Sequence, residues 1–276
     1  MAVLQFSNKA ARALERIYSS ADVVAQRKAT LERLALRSGE SVIDIGCGPG
    51  FLCDEMAEAV GENGQVLGVD ISDDLLTVAR ERNARSRLTY EHGDAERLDQ
   101  PEASFDVAVS VQTLEFLNDP DRAIAEMFRV LKPGGRALIL NTDWDRVAWY
   151  SSDPDRMGRV RRAWEAHCAH PRLPQTLVTR LRASGFTIAS LGTFPIINTR
   201  LNPGTYSEGL VDLVLDFLVA RESMDRQELA DWAAELRTLS AEGKYFFSTT
   251  RCFFGVTKPV AADPELEQVE DVHAPL

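Results

Sequence analysis

A predicted strand, a glycine-rich turn and a predicted helix follow one another at residues 41–60, and their residue types could bind a ligand. Ser41–Ile45 is a short β-branched apolar run, typical of a strand that is buried on both faces of a sheet. Glycines then occupy three alternate positions, Gly46, Gly48 and Gly50. Glycine lets the backbone turn tightly and lets a ligand lie against it without a Cβ in the way. The turn therefore predicts a nucleotide-type binding site.

Two details of this turn argue against a pyrophosphate ligand. The spacing is G-x-G-x-G and not G-x-G-x-x-G, because Phe51 stands where a further small residue would help to seat a pyrophosphate. Asp44 also stands at the C-terminal end of the predicted strand, where its carboxylate would repel an anion and attract a cation. The turn therefore predicts a ligand that carries positive charge.

Acidic residues also end the next two predicted strands. Asp70 follows the run from Gln65 to Val69, and an acidic side chain at this place can accept both ribose hydroxyls of an adenosine. It could instead cap the helix that follows, although Ser72 already offers that cap. Asp94 follows a third predicted strand in the pair Gly93-Asp94, which by itself is only a turn signal.

Together these motifs resemble those of the class I S-adenosylmethionine-dependent methyltransferases. More narrowly, they resemble the small-molecule branch that includes the ubiquinone/menaquinone and arsenite methyltransferases. The turn Leu131-Lys132-Pro133-Gly134-Gly135, after a predicted helix, is similar to a further signature of the family. The resemblance implies S-adenosylmethionine as cofactor, and its sulfonium and α-ammonium groups suit the carboxylate of Asp44.

The resemblance also implies the residues that hold this cofactor. Asp70 would bind the ribose, Ile71 would pack on the adenine, and Asp94 would accept from the adenine amine. Two residues of the N-terminal helices loosely match a Tyr and an Arg that close over the cofactor, although a buried Tyr and a solvated Arg of an amphipathic helix explain them as well. The predicted set is Tyr18, Arg27, Asp44, Gly46, Cys47, Gly48, Gly50, Asp70, Ile71, Asp94, Ala95 and Gln112.

The alternation of strands and helices predicts an α/β fold with a doubly wound, seven-stranded, Rossmann-like sheet. A methyltransferase domain would span residues 1–258, with residues 1–38 as an N-terminal helical cover. The helical insertion at 199–243 is longer than a connection needs, so we interpret it as a lid, with a packing extension or a dimer surface as open alternatives. Residues 259–276 contain five acids and no Lys or Arg, which predicts a disordered tail.

Methyl transfer from a sulfonium is an in-line displacement, so the protein must align the acceptor atom at ~3–3.5 Å and exclude water. A general base is needed only where the acceptor must lose a proton. The predicted candidates are His167, with Asp143 and Glu115 behind it, although a purely structural histidine fits the sequence too. Aromatic residues that could line an acceptor site, or belong to the core, are Trp144, Trp149 and Trp164.

Composition narrows the classes of partner for this chain of 276 residues. A net charge of −11 argues against broad contact with nucleic-acid phosphates. We find no apolar run long enough for a membrane span or a signal peptide, and no metal-ligand cluster. The four cysteines form no C-x-x-C pair, which favours reduced thiols and a cytoplasmic location. Cys47 lies inside the glycine turn and Cys53 in the predicted helix after it, which leaves only Cys168 and Cys252 elsewhere and disfavours arsenite as acceptor.

The sequence therefore predicts a methyltransferase that uses S-adenosylmethionine and a small organic acceptor, apolar or aromatic. Two alternatives stay open. The first is a methyltransferase for RNA or protein, which would need a basic groove beside the cofactor. The second is a protein that binds S-adenosylmethionine without transferring its methyl group.

Overall fold

The computed structural model describes residues 14–82 and 86–260, which form one sheet with helices packed against it. The helices are α1 Ala21–Leu34, α2 Phe51–Val60, α3 Asp73–Arg82, α4 Pro120–Val130, α5 Pro154–Trp164, α6 Pro174–Ala183, α7 Tyr206–Ala220 and α8 Arg226–Ala241. The strands are β1 Ser41–Ile45, β2 Gln65–Asp70, β3 Leu88–His92, β4 Phe105–Val111, β5 Leu131–Thr142, β6 Ala148–Trp149, β7 Thr187–Asn198 and β8 Phe247–Thr257.

The sheet has the strand order β3-β2-β1-β4-β5-β8, and β7 pairs with the other side of β8. Strands β1 to β5 are parallel, whereas β8 runs antiparallel to both β5 and β7. The predicted doubly wound sheet with an antiparallel last strand is confirmed. The strand count differs from the predicted seven, because a two-residue strand, β6, also pairs with the start of β8.

Two apolar cores cover the two faces of the sheet. Ile43 and Ile45 of β1 pack with α4 and α6, whereas Val42 of the same strand packs with α1, α2 and α3. Successive side chains of a strand point to opposite faces, so a strand with helices on both sides must be apolar at almost every position. This explains the continuous apolar run that precedes the glycine turn.

The helical insertion packs in a third apolar cluster, which it shares with α5, the start of β8 and part of the N-terminal region. Side chains of α7 and α8 pack with α5, and the buried members include Leu210, Val214, Trp232 and Leu236. Glu235 on α8 joins the insertion to the start of α5, since it accepts hydrogen bonds from the Ser152 amide over 2.6 Å and from Arg156 over 2.5 Å. The insertion thus rests on α5, beside the carboxyl end of β5.

Some predictions fall outside the residues that the structure describes. These include the first part of the N-terminal cover, residues 1–13, and the acidic tail beyond residue 260.

Within residues 14–82 and 86–260, no helix has both the length and the apolar character that a membrane span requires.

The strand order reverses between β1 and β4. The connection after β1 leads through α2 to β2 on one side of β1. The connection after β4 leads through α4 to β5 on the opposite side. A crevice forms at such a point outside the carboxyl ends of the strands, and open α/β sheets bind their ligands there.

Candidate active site

A cavity of about 620 Å³ lies in this crevice. At one end it is lined by the strand tips that carry Asp70 and Asp94, and in the middle by the glycine turn. The other end is lined by residues of the 144–167 region, of α7 and of β8. The cavity is continuous between these ends and lies within the volume range typical of ligand pockets, roughly 300–1,000 Å³.

The glycine turn forms the floor of the cavity. All three glycines have positive φ, namely 79° at Gly46, 54° at Gly48 and 76° at Gly50. A Cβ on Gly46 would lie 2.2 Å from the Thr113 hydroxyl, so this position has no room for a side chain. A Cβ on Gly48 would meet no atom within 4 Å, because its open side faces the cavity. The backbone is therefore exposed to a ligand at Gly48.

Asp70 ties the glycine turn to the tip of β2. Its Oδ2 accepts a hydrogen bond from the Gly48 amide over 2.8 Å, and its Oδ1 accepts one from the Ser72 amide over 2.9 Å. The side chain is 9% exposed and lines the cavity, and burial raises the pKa of its carboxyl. Each carboxylate oxygen can accept a second hydrogen bond, so both remain able to bind a ligand hydroxyl.

The other adenosine-binding candidates lie around Asp70. Ile71 is 64% exposed and lines the cavity, which leaves an apolar surface open to a flat ligand. Asp94 and Ala95 line the same end, and Asp94 Oδ1 accepts from the Glu96 amide over 2.9 Å. The structure thus brings together the acidic and apolar residues that the sequence predicts for this end.

Four predicted cofactor residues do not line the cavity: Arg27, Asp44, Cys47 and Gly50. Asp44 lies behind the turn, 2% exposed, where it accepts a hydrogen bond from the Cys53 thiol over 3.2 Å. Burial raises the pKa of Asp44 to about 7. In this structure Asp44 lies behind the turn and does not line the cavity, and its role in binding a cationic ligand stays a prediction.

The other three support the cavity wall from outside. Arg27 donates to Glu55 over 3.0 Å and to the Tyr18 carbonyl over 2.5 Å, and so holds Tyr18, which does line the cavity. The Gly50 carbonyl accepts from the Tyr90 hydroxyl, and the Cys47 thiol lies against the Gly48 carbonyl. These contacts fix the turn and its cover.

Gln112 stands in the cavity wall where β4 ends. Its φ of 55° is unusual for a residue other than glycine, and its Oε1 accepts from the Thr142 hydroxyl over 2.6 Å. The amide nitrogen Nε2 is buried and has no hydrogen-bond partner among the described residues. A buried donor without a partner is costly, so this group is available to a ligand atom.

An aromatic wall closes the far end of the cavity, and we define it as Phe116, Trp144, Trp164 and His167. The His167 ring stacks on Trp164 with centroids 3.9 Å apart and meets Trp144 edge-on at 4.5 Å. Phe116 meets the same imidazole at 5.9 Å. The wall suits a flat or apolar molecule, because aromatic faces and edges pack well against such groups.

His167 presents an acceptor nitrogen. Its Nδ1 lies 2.6 Å from the Trp164 carbonyl, and a carbonyl can only accept, so Nδ1 carries the proton. Nε2 is then a lone-pair acceptor, and it has no partner among the described residues. Burial lowers the pKa of His167 to about 4. The imidazole is therefore neutral near pH 7 and only weakly basic.

The two carboxylates expected behind His167 do not line the cavity. Glu115 is fully buried and bonded to the Asn141 amide, and burial raises its pKa to about 7. Asp143 Oδ2 accepts a hydrogen bond from Gln175 over 2.9 Å. Trp149 does not line the cavity and meets Trp232 edge-on, with ring centroids 5.4 Å apart. Of the three predicted catalytic candidates, only His167 reaches the cavity.

Tyr206 and Arg251 are among the residues that line the cavity and that the sequence did not indicate as site residues. Tyr206 is the first residue of α7, and Arg251 lies in β8 with its guanidinium 4.9 Å from the Tyr206 ring. Their positions beside the cavity depend on how the last strand and the insertion pack, and no local motif signals that packing.

The cavity fits the cofactor that the resemblance implies. Its adenosine end holds acids at two strand tips, an open apolar surface at Ile71 and no arginine or lysine in its wall, which suits a cation with hydroxyl groups. The exposed backbone at Gly48 and the unpartnered Gln112 amide leave polar groups for the middle of such a ligand. Within the described part of the chain, no cluster of three or more His, Cys, Asp or Glu side chains could hold a metal ion.

Comparison with known families and proteins agrees with this assignment. Residues 43–139 match the family model described as a methyltransferase domain. The ubiquinone/menaquinone biosynthesis C-methyltransferase UbiE of Saccharophagus degradans is 40% identical over 115 residues, which cover 40% of this chain and 46% of that protein. The chain spans about half or less of the length of the curated relatives it matches.

Solved structures share the fold over most of the chain. The BH2331 protein of Bacillus halodurans C-125 has a TM-score of 0.62 at 21% identity, covering 85% of this chain and 99% of that one. Phosphoethanolamine N-methyltransferase 2 of Haemonchus contortus, solved in complex with S-adenosyl-L-methionine, has a TM-score of 0.60 at 21% identity, covering 93% of this chain and 58% of that one. At this identity the likeness shows the fold alone.

Proposed function

We propose that this chain, whose residues 43–139 form a class I methyltransferase domain resembling that of the ubiquinone/menaquinone C-methyltransferases, transfers a methyl group from S-adenosylmethionine to a small organic molecule. The observation that carries the proposal is the continuity of the cavity. One space of about 620 Å³ joins the acidic strand tips to the aromatic wall, so a cofactor and an acceptor would share it.

The residues at the strand tips would bind and orient the cofactor. Asp70 would accept from the ribose hydroxyls while its hydrogen bond to Gly48 keeps the turn in place. Ile71 and Ala95 would contact the adenine, and Asp94 would accept from its amine. When bound, the cofactor supplies an electrophilic methyl group, and the protein contributes chiefly by holding the acceptor in line with it.

The aromatic wall would hold the body of the acceptor. His167 lines the cavity, and its Nε2 is an acceptor without a partner among the described residues, so it would orient a hydroxyl or amine of the substrate by accepting its hydrogen bond. With its pKa lowered to about 4, His167 suits this positioning role better than that of a strong base. The acceptor would therefore be one that needs little help to lose its proton.

The helical insertion at 199–243 would act as a lid. Tyr206, Leu210 and Leu213 of α7 line the cavity, and Tyr18 from the N-terminal cover lines it from the other side. Together they would shield the reacting atoms from water, which competes as a nucleophile. The domain span 1–258, a homodimer, the absence of a nucleic-acid partner and the cytoplasmic location stay predictions.

Two measurements test this function. Calorimetry with S-adenosylhomocysteine should show binding, and Asp70→Ala should weaken it. Incubation of a cell extract with the protein and methyl-tritiated S-adenosylmethionine should then label the small-molecule fraction and neither the protein nor the RNA fraction. Label in protein or RNA would assign the chain to the alternative substrate class, and binding without any transfer would make it a non-catalytic binding protein.

A further inference from the structure

Arg251 is a buried arginine at the acceptor end of the cavity. Its side chain lines the cavity although the residue is only 4% exposed. It forms no ion pair with any residue in the ranges 14–82 and 86–260, and its Nε is buried without a hydrogen-bond partner there. Buried charges in proteins are normally paired, because removing an ion from water is costly. The structure thus leaves an unpaired cation in the wall of the cavity, with a buried N–H that has no partner among the described residues.

The guanidinium is held in place by uncharged groups. Its Nη1 donates to Gln26 Oε1, and Gln26 in turn donates from Nε2 to the Thr30 hydroxyl over 3.1 Å. Both supporting residues lie in α1 and are fully buried. The Tyr206 ring lies 4.9 Å from the guanidinium carbon on the other side. The group is therefore oriented before any ligand arrives, which lowers the entropy cost of binding.

No acid of the described residues forms an ion pair with Arg251. Glu115 lies close enough to feel its charge, but Glu115 is bonded to Asn141, does not line the cavity, and has a pKa raised to about 7 by burial. Asp70 and Asp94 line the cavity at its adenosine end, and neither forms an ion pair with Arg251. The positive charge of Arg251 is therefore left without an ion-pair partner in the described part of the chain.

We propose that Arg251 binds a carboxylate or similar planar oxyanion of the methyl acceptor. This inference rests on the proposed function and narrows its substrate class to a molecule with an apolar or aromatic body and one anionic group. The planar guanidinium matches two oxygens of a carboxylate, and a charge-assisted bond in a water-poor site is strong. The body of the acceptor would contact the aromatic wall and Leu213.

The experiment measures whether the protein prefers an acid to its neutral analogue. Wild-type protein loaded with S-adenosylhomocysteine is titrated with two matched pairs of probes, 2-naphthoate with 2-naphthamide and indole-3-acetate with indole-3-acetamide. We expect each acid to bind about tenfold or more tightly than its amide, as a charged hydrogen bond implies. In R251M this ratio should fall to about one, while the affinity for S-adenosylhomocysteine stays within about twofold of wild type.

Two further variants make the result specific to this arginine. R33M removes an exposed arginine that stacks on Phe253 of the same strand, 4.3 Å from its ring, and should keep the wild-type preference. R251K keeps the positive charge but loses the planar guanidinium, so it should bind acids more tightly than amides by a smaller ratio than wild type does. This variant tests the proposal even if R251M folds poorly.

Three results would overturn the inference. The first is wild-type protein that binds acids and amides equally in both pairs, and the second is R251M that keeps the preference. The third is R251M that loses about tenfold or more in affinity for S-adenosylhomocysteine but none for 5′-methylthioadenosine, which would assign Arg251 to the amino-acid carboxylate of the cofactor. Failure of the wild-type protein to bind S-adenosylhomocysteine would instead contradict the proposed function.

Discussion

The Gly48 amide donates a hydrogen bond to Asp70 Oδ2 over 2.8 Å and so links the turn after β1 to the tip of β2. One carboxylate therefore both shapes the glycine turn and faces the cavity. In a parallel sheet the carboxyl ends of adjacent strands meet at one edge, so this contact follows from the pairing of β1 with β2. This hydrogen bond joins the glycine turn to the acidic strand end at Asp70, both of which the sequence predicts as parts of the binding site.

Removal of the Asp70 carboxylate should weaken cofactor binding. We expect Asp70→Ala to cost about 1–3 kcal/mol of affinity for S-adenosylhomocysteine, a loss of roughly 5- to 150-fold, because a buried acceptor for the ribose is lost. Calorimetry measures this. Asp73→Ala removes the same charge from an exposed position at the start of α3 and should bind as wild type does. An unchanged dissociation constant for Asp70→Ala would remove Asp70 from the site.

Adding a methyl group at Gly48 should weaken ligand binding beyond what its effect on stability explains. Gly48→Ala and Gly204→Ala both place a Cβ on a backbone with positive φ, 54° and 87°, and neither Cβ would meet an atom within 4 Å. Each should lose about 1–2 kcal/mol of unfolding free energy from backbone strain. Only Gly48→Ala should also lose affinity for S-adenosylhomocysteine, since its Cβ enters the cavity. Equal affinities for the two variants would show that no ligand lies against Gly48.

Much of the fold could be predicted because its signals are local. The apolar runs, the glycine turn and the alternation with helices fix β1 to β5, and the predicted insertion at 199–243 contains α7 and α8. Strand β6 could not be predicted, because two residues carry no periodic pattern and pair only through the bend of the chain beside β8.

The site divides in the same way. Asp70 ends β2, Gln112 directly follows β4 and Asp94 lies two residues beyond β3, so the order of the chain alone brings them to the cavity. Asp44 does not reach it, because Cys53 of α2 packs against its carboxylate, and that contact depends on how the helix returns over the sheet. No sequence pattern indicated Arg251 as a site residue, because a lone arginine in a strand is usually exposed to solvent. Only the packing of α1 and α7 buries it.

The buried carboxyl of Glu115 should make stability depend on pH. Burial raises its folded-state pKa to about 7, above the ordinary value of 4.5, so the folded protein binds the proton more tightly. The stability that this provides is present below pH 4.5 and is lost as pH rises through about 7. Glu115→Gln should therefore gain about 1–3 kcal/mol relative to wild type between pH 5 and pH 8.

Urea unfolding at the two pH values measures the Glu115 effect. Glu165→Gln makes the same change at an exposed position and should show no such gain. If the difference in unfolding free energy between Glu115→Gln and wild type stays constant from pH 5 to pH 8, the pKa of Glu115 is not raised in the folded protein.

His167 should support methyl transfer as a neutral hydrogen-bond acceptor. Because burial lowers its pKa to about 4, the rate of label transfer should be flat from about pH 6 to pH 8 and should fall as the imidazole is protonated near pH 4. His167→Phe keeps a ring against Trp164 but removes Nε2, and should slow transfer about tenfold while leaving the affinity for S-adenosylhomocysteine unchanged. His170→Phe alters a half-buried histidine that does not line the cavity and should transfer at the wild-type rate.

The same shift in the pKa of His167 predicts a change in stability. In the unfolded protein the imidazole has its ordinary pKa of 6.5, whereas in the folded protein its pKa is about 4. Between these two pH values only the unfolded protein binds the proton. The contribution of His167 to the free energy of unfolding is therefore fully present above pH 6.5 and falls as pH drops towards 4. His167→Phe should remove this loss, which urea unfolding at pH 5 and pH 7 measures. Wild-type transfer in His167→Phe, together with an unaltered pH dependence of unfolding, would exclude His167 from the acceptor site and from the buried neutral state described above.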